Sequence, residues 1–230
     1  MSTTALSAST AADTRAPAPR PMRLAAPILM PLAPALTLVS GLLLSVDPGT
    51  LSEAELTAAV YADPSHQGLL VWSGFLEALL FPIAVIWAGR ATYARAPRLT
   101  SAAMILAVPG YLCLAWLVAG SDAIIWYGAT HGLDQDLVTN MAWGVHPAFG
   151  AALGIFVIGH TLGMVLLGIA AIRSRAIPLW AGIGLAASQP IHFLAGIVSD
   201  PAIALGMNTV AGVLTVAGFG LLGWAIFRGR

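Results

Sequence analysis

Charged residues are scarce in this sequence, and it has a single cysteine. Only 9% of its 230 residues are charged and 58% are hydrophobic, whereas soluble domains carry about 25% charged residues. This composition excludes an ordinary soluble domain and is typical of an integral membrane protein. The formal net charge is zero, so the electrostatic basis for binding nucleic acid is missing. Because Cys113 has no second cysteine to pair with, an intrachain disulfide is excluded.

The first 23 residues differ in composition from the rest of the chain. They are rich in Ser, Thr, Ala and Pro, and such a segment buries too little apolar surface to offset its ordering entropy. We therefore predict a disordered cytoplasmic tail over residues 1–23 and a transmembrane domain over 24–230. A cleaved secretory signal is the alternative. The long polar lead and an apolar run that approaches spanning length favour a retained first helix instead.

Long apolar stretches make up most of the remaining chain. A helix needs roughly 20 mostly apolar residues to cross a bilayer, and six stretches meet this requirement. The sequence therefore predicts an all-α, polytopic membrane helix bundle with six transmembrane helices. Between the first two spans, Ser52 and Glu55 form a capping-box pattern that predicts a short surface helix. The predicted spans are about 24–46, 68–89, 101–126, 147–172, 177–199 and 203–227.

The basic residues give the predicted orientation of these spans. The chain contains ten basic residues, all of them arginine, and with six spans all ten fall on one side of the membrane. Eight of the ten acidic residues fall on the other side or at its boundary. The positive-inside rule then predicts that both termini are cytoplasmic. Five or seven spans would break this segregation. The all-arginine usage suggests a GC-rich bacterial genome, which places the chain in the cell (inner or plasma) membrane.

Four strongly polar residues fall inside the predicted spans at similar depth. At about 1.5 Å per residue from the cytoplasmic end of each span, Glu77, His160 and Gln189 lie about 18 Å deep and His192 about 22 Å deep. The hydrocarbon core is about 30 Å thick, so all four lie near its middle. Ionisable side chains are costly at this depth and commonly functional. We predict that Glu77, His160 and His192 face one another in the bundle interior as candidate catalytic residues.

Further polar residues extend this predicted cluster into a pocket. Some share a helix face with its members at spacings of three or four residues, and others lie higher, where they could line an opening to the outside. The predicted pocket residues are Ser73, Ser188, Gln189, Asp122, Trp126 and Asn208. The structural alternative is that Glu77 clamps two helices together by a hydrogen bond to His160 or Gln189.

Two segments carry a resemblance to a known family. One is Gly74-Phe75-Leu76-Glu77-Ala78-Leu79-Leu80. The other starts at Val145-His146-Pro147 and runs through Arg173-Ser174-Arg175-Ala176-Ile177-Pro178-Leu179-Trp180-Ala181-Gly182-Ile183-Gly184. Over roughly residues 25–227 the chain resembles a family of small bacterial multi-pass proteins classed as a domain of unknown function. It departs from that family by carrying His160 and His192 where small or apolar residues are expected. The resemblance implies architecture only.

Three functional hypotheses remain open at this point. The first is a pocket that binds or transforms a lipophilic small molecule, with Glu77 as general acid and the histidines relaying or orienting. The second is a b-type haem held by His160 and His192, or a zinc ion held by these residues and Glu77. The third is a non-enzymatic transporter, partner subunit or sensor. The sequence assigns no cofactor or oligomeric state, and the lipid bilayer is the only partner that it predicts directly.

Overall fold

The computed structural model describes residues 18–43, 52–144 and 146–229, and these are helical with no β-strand. Most of the predicted tail, residues 1–17, lies outside the described residues. A π-helical turn, Val118–Asp122, joins two of the helices without a break. In chain order the helices are α1 (Arg20–Leu43), α2 (Glu53–Ala62), α3 (Pro64–Thr92), α4 (Pro97–Leu117), α5 (Ala123–His131), α6 (Gln135–Trp143), α7 (Pro147–Ser174), α8 (Leu179–Ala195) and α9 (Pro201–Phe227).

Five helical segments are long and apolar enough to cross a membrane, which is the pattern of a multi-pass membrane protein. The third of them, Pro97–His131, is a continuous helix of 35 residues that includes the π-helical turn. The fifth predicted span, 177–199, corresponds to α8, which has only 17 residues and is shorter than these five segments. The five segments are Arg20–Leu42, Pro64–Thr92, Pro97–His131, Pro147–Ser174 and Pro201–Phe227.

The six long helices form a closed ring. Each of α1, α3, α4, α7, α8 and α9 packs against the next in this order, and α9 closes the ring by packing against α1. Large apolar side chains such as Met30, Leu185 and Phe219 are fully buried in the interior. Others on the outer surface, including Trp72 and Ile105, are more than two-thirds exposed. An apolar outer surface around an apolar core suits a bundle surrounded by lipid.

Helices α4 and α7 approach each other at backbone contact because both present glycine. A Cβ atom added to Gly159 would lie 2.5 Å from the Leu106 carbonyl oxygen, and one added to Gly110 would lie 2.8 Å from the His160 backbone nitrogen. Small residues of this kind let membrane helices pack closely. The contact holds the α7 backbone at His160 directly against α4.

The arginine-bearing ends of the helices lie together at one end of the bundle. Arg95, between α3 and α4, donates a hydrogen bond from Nη1 to the Ser174 carbonyl at the end of α7, at 3.1 Å. A Cβ atom on Gly223 would contact the Ala26 carbonyl oxygen, so α9 ends beside the start of α1. Thr37 and Ser40 of α1 contact Glu77 and Ser73 of α3, so the two helices are antiparallel and the start of α1 lies beside the end of α3. The described arginines at this end of the bundle are Arg20, Arg23, Arg90, Arg95, Arg98, Arg173, Arg175 and Arg228.

The three short helices α2, α5 and α6 pack together at the opposite end. The predicted capping box is confirmed, because the Ser52 side chain accepts from the Glu55 backbone N–H and the Ser52 N–H donates to Glu55 Oε2 at 2.8 Å. These bonds hold the pKa of the Glu55 carboxyl below its usual value. The Tyr61 hydroxyl donates to the Leu133 carbonyl at 3.0 Å, which ties α2 to the segment between α5 and α6.

Candidate functional site

Glu77 is buried in α3, as predicted from its sequence position, but its partner differs from both predicted ones. Its carboxyl group hydrogen-bonds to the Thr37 side chain of α1, whereas the predicted partner was His160 or Gln189. Ser73, one turn away on α3, accepts a 2.7 Å hydrogen bond from the Ser40 hydroxyl of α1. The polar side chains of this part of α3 therefore join α3 to α1.

Tyr111 of α4 is a central residue of the site that the sequence analysis missed. Its ring is 3% exposed and stacks on Phe81 with the ring centroids 4.1 Å apart. Its hydroxyl is buried without a hydrogen-bond partner among the described residues and lies within electrostatic range of Glu77. The sequence signal that could have indicated its burial is helical spacing. Tyr111 follows Ala103 and Ala107, which are buried, at steps of four residues.

His160 of α7 also lies near Tyr111. The two ring centroids are 6.0 Å apart, and the imidazole is 5% exposed. Its Nδ1 contacts the Phe156 carbonyl oxygen one turn earlier, while its Nε2 lies 3.4 Å from the Thr161 hydroxyl. The Phe156 ring stacks on the imidazole at 4.3 Å. His160 is therefore fixed by its own helix.

His192 of α8 contacts His160, with ring centroids 6.4 Å apart. Its Nδ1 lies 2.8 Å from Oδ1 of Asn208 on α9, which accounts for Asn208 in the predicted pocket. The prediction that His192 lies in the bundle interior is wrong, because its side chain is exposed. Helix α8 ends at Ala195, less than one turn beyond His192. The ring therefore lies at the end of a short helix, where little packs over it.

The neighbouring polar residues of α8 are buried more deeply. Ser188 is fully buried and donates to the Leu185 carbonyl of its own helix at 2.9 Å. Gln189 is also buried, at 9% exposure. The inward face of α8 thus includes Ser188 and Gln189, as predicted. About one turn further along the helix, the side chain of His192 is exposed.

The two remaining predicted pocket residues form a separate group near the short helices. Asp122 lies in the π-helical turn, and its Oδ1 accepts a 3.3 Å hydrogen bond from the Gln67 side chain of α3. Trp126 covers Gly68, where an added Cβ atom would lie 2.9 Å from the indole nitrogen. Single π-helical turns occur frequently at functional sites. The predicted pocket is therefore divided into an inner group and an outer one.

Two grooves open on the surface of the bundle, away from Glu77 and the histidines. One, of about 240 Å³, is lined by residues of α5 and α6 and the segments next to them. The other, of about 360 Å³, lies between α4 and α7 and includes Pro109 and Gly154 in its lining. Neither groove is lined by Glu77, His160 or His192.

The described residues contain no group of three or more His, Cys, Asp or Glu side chains placed to hold a metal ion. The hypothesis of a zinc site built from Glu77, His160 and His192 therefore has no matching geometry. The two histidines remain adjacent, and Glu77 bonds to Thr37 instead.

Comparisons of the chain with protein-family models, curated proteins and solved structures give no match. The resemblance to a family of small bacterial membrane proteins stays a prediction, and the site is interpreted from its own geometry.

Proposed function

We propose that this chain is a six-span protein of the bacterial plasma membrane that binds and transforms a lipophilic small molecule by acid–base chemistry. Helix α8 supports the sixth span because it packs between α7 and α9, which are both long enough to cross a membrane. Its 17 residues extend about 26 Å at 1.5 Å per residue, at the short end of spanning length. The arginines collected at one end support cytoplasmic termini.

The observation that carries the proposed activity is the unpaired hydroxyl of Tyr111. A buried hydroxyl without a partner costs about 1–3 kcal/mol. This one is within electrostatic range of Glu77, and its ring lies near the His160 imidazole. A hydrogen-bonding atom of a bound molecule would remove that cost. The surrounding rings of Phe81, Phe156 and Phe219 are apolar, which favours a ligand that is mostly hydrocarbon with one polar group.

The same residues account for proton transfer to and from such a ligand. Glu77 is the general acid, held by Thr37, and Tyr111 orients the polar group of the ligand by a hydrogen bond. Because a carbonyl oxygen only accepts hydrogen bonds, His160 carries its hydrogen on Nδ1, and its Nε2 accepts a proton. Gln189 and His192 lie on the neighbouring helix at the edge of this group.

Mass spectrometry of compounds that co-purify with the detergent-solubilised protein tests this proposal. We expect one apolar compound with an oxygen-containing group in the wild-type protein. Retention of this compound should fall about 2- to 12-fold in Tyr111→Phe, the ratio that corresponds to loss of one hydrogen bond of about 0.5–1.5 kcal/mol. Tyr127→Phe is the matched control, because Tyr127 is exposed and lies outside the inner group.

The acid–base role is tested separately by Glu77→Gln. This variant should retain the compound but leave it chemically unchanged, whereas the wild-type protein converts it. Equal compound profiles in the wild type, Tyr111→Phe and Tyr127→Phe would contradict a ligand site at Tyr111. Conversion by Glu77→Gln at the wild-type rate would contradict the role of Glu77 as acid.

A further inference from the structure

Two imidazoles whose Nδ1 atoms both contact an oxygen lie next to each other on α7 and α8. His160 places Nδ1 against the Phe156 carbonyl oxygen, and His192 places Nδ1 against Oδ1 of Asn208. Both oxygens only accept hydrogen bonds, so each imidazole carries its hydrogen on Nδ1. In the neutral rings both Nε2 atoms then have a lone pair, and that of His160 lies 3.4 Å from the Thr161 hydroxyl, which a metal ion would displace. This is the arrangement found in metal-binding histidines, which donate their other N–H group to a fixed oxygen.

We propose that His160 and His192 bind one copper(I) ion through their Nε2 atoms. The ring centroids are 6.4 Å apart. An ion about 2.0–2.1 Å from each of two opposed ring nitrogens would separate the centroids by about 6 Å. The observed separation therefore suits one ion between the two rings when both Nε2 atoms face it.

The number of protein ligands selects the metal. Zinc is held by three or four protein ligands, and the described residues contain no group of three suitable side chains. Copper(I), a closed-shell d¹⁰ ion, is stable with two nitrogen ligands in a linear arrangement, and imidazole is a suitable ligand for copper. A pair of histidines without a third ligand is thus sufficient for copper(I) and insufficient for zinc.

The two histidines also differ in exposure in a way that suits metal entry. His160 is buried and fixed by stacking on Phe156, whereas His192 is exposed. An ion can therefore bind to His192 first, and His160 then completes its coordination. Asn208 acts as a positioning residue because it fixes the orientation of the His192 ring without touching the metal.

Titration of the tag-free protein in detergent with copper(I), under argon and against a chromophoric chelator, tests the site. We expect one copper per chain in the wild type. X-ray absorption should show two nitrogen neighbours at about 2 Å, with the outer-shell scattering of imidazole. His192→Gln should lower the affinity by more than about 100-fold because one of the two ligands is lost. Asn208→Ala should lower it by about 10- to 100-fold, as expected for an outer-shell partner.

His131→Gln is the matched control. His131 is exposed and also places Nδ1 against a backbone carbonyl, at 2.9 Å, but it stacks on Tyr127 instead of on a second imidazole. This variant should bind copper like the wild type. Because His192 is exposed, His192→Gln should fold normally. If the His192→Gln variant does not fold, Asn208→Ala tests the site.

Three results would overturn the copper site. They are copper binding that is unchanged in both His192→Gln and Asn208→Ala, copper without imidazole scattering, and binding of haem in place of copper that requires both histidines. The inference goes beyond the proposed small-molecule site, and copper bound to Nε2 of His160 would occupy the lone pair that accepts a proton in the proposed chemistry. Copper is measured without any organic ligand, and the variants that test ligand retention, Tyr111→Phe and Tyr127→Phe, alter neither histidine.

Discussion

Thr37 of α1 hydrogen-bonds to Glu77 of α3, and the Ser40 hydroxyl donates to Ser73 about one turn further along the same pair of helices. Two polar contacts thus join α1 to α3 inside a mostly apolar bundle. Glu77 consequently has a structural role in addition to its proposed role as an acid. Substitutions at position 77 must therefore distinguish the structural role from the proposed role as an acid.

Glu77→Gln should preserve the fold, whereas Glu77→Leu should destabilise it. Glutamine keeps a hydrogen-bonding group for Thr37, but leucine removes it and leaves the half-buried threonine hydroxyl with only the Ala33 carbonyl as its partner, at 3.4 Å. Loss of a buried hydrogen-bond partner costs about 1–3 kcal/mol. Thermal unfolding in detergent measures the difference. If Leu and Gln at position 77 gave equal unfolding temperatures, the contact with Thr37 would contribute nothing to stability.

Gly159→Ala should destabilise the bundle, and Gly154→Ala should not. An alanine Cβ at position 159 would lie 2.5 Å from the Leu106 carbonyl oxygen, whereas nothing lies within 4 Å of one at position 154. Overpacking of this kind costs typically about 1–3 kcal/mol. The control should gain up to about 0.5–1 kcal/mol from the better helix propensity of alanine. Chemical denaturation of the two variants side by side in detergent measures both effects, and a stable Gly159→Ala would contradict the backbone contact between α4 and α7.

The sequence predicted the helices better than it predicted the contacts between them. Hydropathy and helix-end signals located the long helices and the capped helix α2, because these features depend on neighbouring residues along the chain. The burial of Glu77 and His160 and the contact of His160 with His192 also agree with the prediction. The assignment of Thr37 as partner of Glu77 was out of reach, because depth along a helix says nothing about which neighbouring helix a side chain faces.

Tyr111 and His192 are two further residues whose surroundings could not be predicted from the sequence. Tyr111 was overlooked because a tyrosine in an apolar run is unremarkable until its hydroxyl is found buried without a partner. His192 was placed in the interior from its spacing to Ser188 and Gln189, which are buried. The helical spacing of these three residues was predicted correctly. However, α8 ends at Ala195, so the side chain of His192 is exposed.

Asp200 should tolerate asparagine but not alanine. Its Oδ1 accepts from the backbone N–H groups of Ala202 at 2.9 Å and Ile203 at 3.1 Å, so it caps the start of α9. Asparagine caps nearly as well as aspartate, and alanine at such a position costs about 0.5–2 kcal/mol. The yield and unfolding temperature of detergent-extracted protein test this. Equal loss of stability in both variants would show that the charge of Asp200, and not its cap, matters.

Asp122→Asn should likewise leave the yield of folded protein near that of the wild type. Asparagine retains a side-chain oxygen that can accept from Gln67, as Oδ1 of Asp122 does at 3.3 Å. Asp122→Leu, in contrast, leaves the Gln67 amide, which is 8% exposed, without this partner. Yield after detergent extraction distinguishes the two, and failure of Asp122→Asn to fold would mean that the carboxylate charge itself is needed at the π-helical turn.

The orientation of α8 decides between six spans and five. After replacement of Cys113 by alanine, single cysteines at exposed positions 53, 94, 136, 173 and 199 should label as outside, inside, outside, inside and outside with a membrane-impermeant maleimide on intact cells.

Positions 173 and 199 flank α8 and are the informative pair. If α8 crosses the bilayer, they label on opposite sides; if it enters and returns, they label on the same side, and α9 would then carry Arg228 to the outside. Because Arg228 lies at the same end of the bundle as Arg95 and Arg173, we expect opposite sides. Labelling of position 199 from the cytoplasm would contradict the six-span arrangement and the cytoplasmic C-terminus together.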